Sequence, residues 1–320
     1  MHRSWRGLVV ALALSAGCAS RSAGPGAARP PASEIPETPR PGDPVVTLLD
    51  PGAEPRAPLR YRIPPGQKGT LVMDVHVAMS MSMAGHAMPV VTTPPVRMTA
   101  SMEVPEVAPD GASRTVTTIR AVDVQAKPED EPRVVEAMKS SLAGIVGLTT
   151  EMWLTPRGFA RDVKIDVPQG LRPEMEAVLQ AMRNVTEQVA AIFPFEPVGL
   201  GARWRIVTEI DTGRLKLLQT GIMTLVRRDA NHVFLSGALE QTAPPQPIKA
   251  PGLPVGASVS LERYVGNGEG QLDTALDSRI PHGQIAIKAT MATAVVTNGA
   301  RMSLGMNMDT AVSFSPGPAP

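Results

Sequence analysis

The segment 71–88, LVMDVHVAMSMSMAGHAM, constrains this chain more than any other. Leu71, Met73, Val75, Val77, Met79, Met81 and Met83 fall at every second position, with Val72, Asp74, His76, Ala78, Ser80 and Ser82 between them. Side chains alternate across a strand with period two, so this spacing predicts a long strand with one buried face. That face carries methionine where most strands carry valine or isoleucine. Thioethers fill irregular apolar space pliably, and they are also soft ligands that select Cu(I). The segment is therefore either one wall of an apolar interior or a soft-metal site built from Met79, Met81, Met83, His86 and Met88.

The rest of the chain bears on that choice. Methionine recurs in phase at Met98 and Met102, and again at Met302, Met306 and Met308. A metal site gathers three or four ligands at one point, whereas methionine spread over three strands lines a broad surface. The favoured reading is an apolar cavity lined by Met73, Met79, Met81, Met83, Met98, Met102, Met302, Met306 and Met308. From a helix, Met175, Leu179 and Met182 join them. Plain core packing and a Cu(I) site are the alternatives, and SMSMAGHAM resembles the Met/His-rich stretches of periplasmic copper-handling proteins.

From residue 59 onward the pattern is β. Alternation recurs over 96–104, and further strands are read at 115–124, 145–154, 159–167, 203–210, 215–226, 233–241, 258–265, 271–277, 284–296 and 301–314. Asn298-Gly299 is a strong two-residue hairpin signal. Gly266, Gly268 and Gly270 in GNGEG are read as a hairpin turn joining 258–265 to 271–277. Two helices are expected. One is short, near 134–142. The other, 171–193, has Pro173 in its first turn and an apolar stripe through Met175, Leu179 and Met182. Short connections imply antiparallel pairing. About a dozen strands then form one large curved sheet with the 171–193 helix packed on it, in a β-rich domain spanning 59–314. A sub-boundary near 197 is the alternative, and 315–320 is a frayed tail.

The first seventeen residues read as a signal peptide. Arg3 and Arg6 precede a short apolar run, too short to span a bilayer, and Ser15-Ala16-Gly17 leads into Cys18, the only cysteine. This resembles a bacterial lipoprotein signal with its lipobox, which implies that Cys18 is lipidated and anchors the chain. Ala19 and Ser20 lack the aspartate that retains many such proteins in the inner membrane, which implies the outer membrane. Residues 18–58 are rich in Pro and Ala and read as a tether, with 45–49 as a short strand or docking segment inside it.

Lys+Arg 31 against Asp+Glu 30 leaves no basic stripe for nucleic acid. No nucleophile elbow, H-E-x-x-H, C-x-x-C or Walker loop is present, and no cofactor is implied beyond the Cu(I) alternative. From 59 to 314 the chain resembles a bacterial lipoprotein family of unknown function. The resemblance rests on Leu59-Arg60-Tyr61-Arg62-Ile63, Pro65-Gly66-Gln67-Lys68, the methionine-rich strand and Gly201-Ala202-Arg203-Trp204. It implies a fold analogous to the curved-sheet carriers of the periplasm, of the lipoprotein-localisation and mycobacterial lipid-carrier type, which hold acyl chains between sheet and helix. The expectation is thus a non-enzymatic, lipid-anchored envelope protein that binds a lipid or other apolar ligand, with an interaction module of an envelope complex as a further alternative.

Overall fold

A computed structural model describes residues 40–83, 86–88, 90–166, 191–248, 256–280 and 282–318. Its strands are β1 (Val45–Asp50), β2 (Gln67–Met83), β3 (His86–Ala87), β4 (Val91–Thr92), β5 (Val96–Val107), β6 (Ser113–Val124), β7 (Thr149–Leu154), β8 (Ala160–Asp166), β9 (Arg203–Asp211), β10 (Lys216–Asp229), β11 (His232–Ala243), β12 (Gln246–Pro247), β13 (Ser258–Ala275), β14 (His282–Thr297) and β15 (Ala300–Pro316), with one helix, α1 (Pro132–Ala143). All belong to one antiparallel sheet of 15 strands ordered β1-β9-β10-β11-β13-β14-β15-β2-β5-β6-β7-β8, the short β3, β4 and β12 pairing off this path. Two meanders, β2 to β8 and β9 to β15, are joined by pairing the last strand of the chain to the methionine-rich β2.

The sheet is open but curled on itself. In a flat sheet β9 and β7 would stand nine strand spacings apart, about 43 Å at the usual 4.8 Å each. Yet Trp204 of β9 and Leu154 of β7 share one buried cluster. The two edges also meet: Arg161 of β8 pairs with Asp43, just before β1, in a largely buried ion pair, and Arg40 reaches Asp162 at 3.4 Å. Residues 45–50 are therefore an edge strand paired with β9, not part of a free tether.

One end of the curl is plugged. Leu59, Tyr61 and Ile63 pack with Phe193, Val198, Trp204, Leu225 and Leu235, all buried. The plug's backbone is satisfied from both sides of the curl, as buried amides require. Tyr61 N–H donates to Pro156 O and Arg62 N–H to Leu276 O, both at 2.7 Å. Trp204 Nε1–H donates to Ile192 O at 2.8 Å, and the Tyr61 and Phe193 rings lie 5.0 Å apart.

The structure bears on three expectations. GNGEG is not a turn. Residues 258–275 form one continuous strand, with Gly266, Gly268 and Gly270 at successive inward positions opposite Ala289, Ile287 and Ile285. A Cβ at Gly268 would stand 2.9 Å from Ile287 Cγ1 and 3.1 Å from Leu239 Cγ. Glycine is there to let neighbouring strands' side chains close over the backbone, and it marks where the sheet bends. Second, the expected 171–193 helix lies mostly outside the described residues, together with Met175, Leu179 and Met182. Its last three residues, 191–193, are described and are not helical. Among the described residues the helix that covers the inner face is α1. Pro132 starts it, Gly144 follows it, and Val135, Met138 and Leu142 lie on one side. They pack on Met73, Val96, Met98 and Ile119. Third, about a dozen strands are expected, and the sheet's path has twelve, with three two-residue strands pairing beside it.

Candidate functional site

The inner face away from the plug is the candidate site. Along β2 the inward side chains are more exposed toward its end: Leu71, Met73 and Val77 are 1%, 3% and 4% exposed with Val75 half-buried among them, Met79 and Met81 are half-buried, and Met83 is 44% exposed. The alternation is identical throughout, so the gradient records what lies opposite. At the plugged end the opposite wall is in contact. At the other end the cover is uneven: Met83 and Met302 stand exposed, while Thr293 and Leu261 on the Met83 rung stay buried; we call this end the mouth.

Register fixes which side chains share each rung of this surface, because directly opposed residues in an antiparallel pair project from the same face. Outermost, Met83 faces Leu304, Leu304 faces Thr293 and Thr293 faces Leu261; one rung in, Met81 faces Met306, Met306 faces Met291, and Met291 faces Tyr264. On the other side of β2, His86 faces Met83, and Met88 N–H donates to Met81 O at 2.8 Å, placing Met88 beside Met81. One rung deeper, Met79 faces Met308, then come Ala289, Gly266, Gln241, Gln219 and Thr208. Deeper still are Val77, Thr310, Ile287, Gly268, Leu239, Gly221 and Ile206. Methionine thus lines one side of the curl and glycine strips the other.

The expected cavity residues divide accordingly. Met73, Met98 and Met102 are fully buried core, the first two under α1. Met79, Met81, Met306 and Met308 are half-buried on the open part of the inner face, and Met83 and Met302 stand exposed at its rim. Of the expected metal ligands, Met79, Met81 and Met83 share a face, and His86 and Met88 are exposed beside the last two. Among the described residues no group of three or more His, Cys, Asp and Glu is placed to hold an ion. Cys18 lies outside the described residues.

Sequence reasoning missed a polar run on the same surface. Tyr264 O–H donates to Gln241 Oε1 at 2.9 Å, and Gln241 Nε2–H donates to Gln219 Oε1 at 2.8 Å. Gln241 is buried, and burial raises the Tyr264 pKa, so its phenol stays neutral. Glycines recurring at 266, 268 and 270 with strand period were the available signal, since they mark a wall that other side chains must approach closely.

The outer face is polar. Gln284, Lys288 and Thr290 of β14 lie beside Asn307, Asp309 and Ser313 of β15. Arg97 forms a bidentate pair with Asp74 at 2.7 and 2.9 Å. A membrane-spanning barrel presents an apolar band outward; this sheet has the opposite polarity. Among the described residues no helix is long and apolar enough to cross a membrane.

No family model matches the chain, and no curated protein matches it. Solved structures to which it is similar are a loop-deletion mutant of OmpT, an outer membrane protein of Vibrio cholerae (7% identity, 78% of this chain and 99% of that one, TM-score 0.20), Pseudomonas aeruginosa OpdQ (8%, 80% and 99%, 0.21) and Acinetobacter baumannii OccAB4 (6%, 79% and 99%, 0.18). Scores this low carry no argument about fold or function.

Proposed function

We propose that this chain is a non-enzymatic, lipid-anchored protein of the bacterial cell envelope, held at the outer membrane through Cys18, that binds a lipid or other apolar ligand on the inner face of its curled sheet. The observation that carries the proposal is the exposure gradient along β2. A closed, hydrogen-bonded plug at one end gives way to a half-buried surface of methionine and glycine at the other. Apolar surface left partly uncovered inside a fold is the usual lining of a ligand site. Methionine suits chains of varied length and branching, because its unbranched side chain repacks at low cost. Native mass spectrometry of gently purified protein should detect co-purifying lipid, and the delipidated protein should take up a fluorescent acyl probe. Failure of both would sink the proposal.

A second reading, Cu(I) binding, is favoured by one specific observation. Register brings Met81, Met306 and Met291 from three strands and Met88, just after β3, into one line, with His86 beside Met83. Thioethers gathered this way form a soft donor set. Cu(I) competition against a chromophoric chelator decides it. The Met81→Leu/Met306→Leu double variant should lose affinity at least about tenfold if the line is a site; equal affinity would exclude it.

A further inference from the structure

The polar run of Tyr264, Gln241 and Gln219 crosses three adjacent strands inside an otherwise apolar wall. Its presence there needs a reason, because buried polar groups weaken a core unless every one is satisfied. Gln241 is satisfied at both ends. Gln219 is half-buried, and its amide N–H groups have no protein acceptor among the described residues. The run is directional: phenol to amide oxygen, amide N–H to amide oxygen, and a surplus N–H at the end. Reversing both amides turns the chain around and leaves the Tyr264 O–H as the surplus donor. Either way the run ends in a spare donor that solvent can reach, and not in a spare acceptor. Gly266 makes the arrangement possible. A Cβ there would stand 3.0 Å from Gln241 Oε1 and 3.5 Å from the Tyr264 hydroxyl.

The charge of the missing acceptor is also fixed. Inward positions of β9, β11, β13, β14, β15 and β2 around this run hold no charged side chain. On β10 the inward cation Arg228 lies beyond the bulge and donates to the plug carbonyls of Ala57 and Pro58 at 3.1 and 3.4 Å. An ionised carboxylate or phosphate on the run would be buried without a counter-charge, which is costly.

We infer that the Tyr264–Gln241–Gln219 run is a recognition site for the neutral carbonyl of an acyl ester or amide whose hydrocarbon chain lies along the methionine and glycine walls. This deepens the apolar-ligand reading and rests on it.

The test uses the full chain loaded with diphenylhexatriene, a probe without hydrogen-bonding groups. It is displaced by three competitors of matched chain length: an alkane, its methyl ester and its carboxylate at mildly alkaline pH. The ester should compete about 3- to 10-fold better than the alkane, the worth of one net hydrogen bond, and the carboxylate should compete worst. Gln219→Leu should remove the ester's advantage, read as the ratio of ester to alkane competition within that variant; Tyr264→Phe should reduce the same ratio. If Gln219→Leu does not fold, Gln219→Met carries the same test. Equal competition by ester and alkane in the unaltered chain overturns the inference and leaves the apolar-ligand reading standing. So does an ester preference that survives Gln219→Leu, and so does a carboxylate that matches the ester. Absence of probe uptake by the unaltered chain brings down both.

Discussion

The two ends of the curl are built from the same strands with the same alternation, yet they are different materials. At the plugged end Trp204, Phe193, Leu59 and Leu225 are completely buried, and the segments through 57–63 and 191–198 hydrogen-bond to strands from both halves of the sheet. At the mouth Met83 and Met302 are exposed, Met81 and Met306 are half-covered, and the polar atoms of Tyr264 and Gln241 pair with each other and not with a plug. Rigid aromatics and branched aliphatics occupy the end where shape is fixed. Unbranched thioethers and glycine occupy the end where it is not. The comparison teaches that stability and ligand capacity are separated along the strand axis, so substitutions at the two ends should have opposite consequences.

The largest effect is expected at the plug. Trp204→Ala removes a fully buried indole and orphans the Ile192 carbonyl that accepts its N–H. It should cost about 3 to 5 kcal/mol in denaturant unfolding. A value near zero would mean the plug does not hold the curl. Next comes the seam between the sheet edges. Arg161→Ala strands the largely buried Asp43 carboxylate and should cost about 3 kcal/mol, part of which Asp43→Ala should restore. An additive double variant would show that the pair does not couple the edges.

A smaller and pH-dependent effect belongs to Tyr61. Burial pushes its phenol up to about 12, against the opposing influence of Arg279 and a backbone hydrogen bond at Ala191. The folded chain therefore keeps this proton to higher pH than the unfolded chain. The stabilisation is fully present below pH 10 and is lost as pH rises from 10 to about 12, a change of about 2 to 3 kcal/mol. The chain has only two tyrosines, and burial raises both. Spectrophotometric titration should thus show less native phenolate at pH 10 than two free tyrosines give, and Tyr61→Phe should flatten the alkaline fall in stability. The smallest stability effect is expected at the mouth. Met81→Ala should cost under about 1 kcal/mol in unfolding, while acyl-probe uptake falls measurably. A large loss of stability there would erase the distinction between the two ends.

Much of the sheet was legible because strand alternation is a local property. The β2 and β5 faces, the Asn298-Gly299 hairpin and α1 follow from spacing and turn chemistry over a few residues. β13 was misread for the same local reason. Three glycines within five residues look like a turn unless the side chains that close over them, Ile287 and Leu239, are known, and those come from other strands. The candidate site was half legible. Methionines on β2 and β15 share a phase that sequence displays, but nothing in sequence shows that Met73 and Met98 are sealed by α1 while Met81 and Met306 are not.

By itself, then, the sequence determined a mainly β chain with a long methionine-faced strand, because period-two burial is written residue by residue. Only the tertiary structure decided which of those methionines are core, that Met88, Met81, Met306 and Met291 fall in one line, and that Gln219, Gln241 and Tyr264 meet. Those facts depend on register between strands up to about two hundred residues apart and on how far the sheet curls. Register is set by the whole set of packed faces at once, so no single segment carries it.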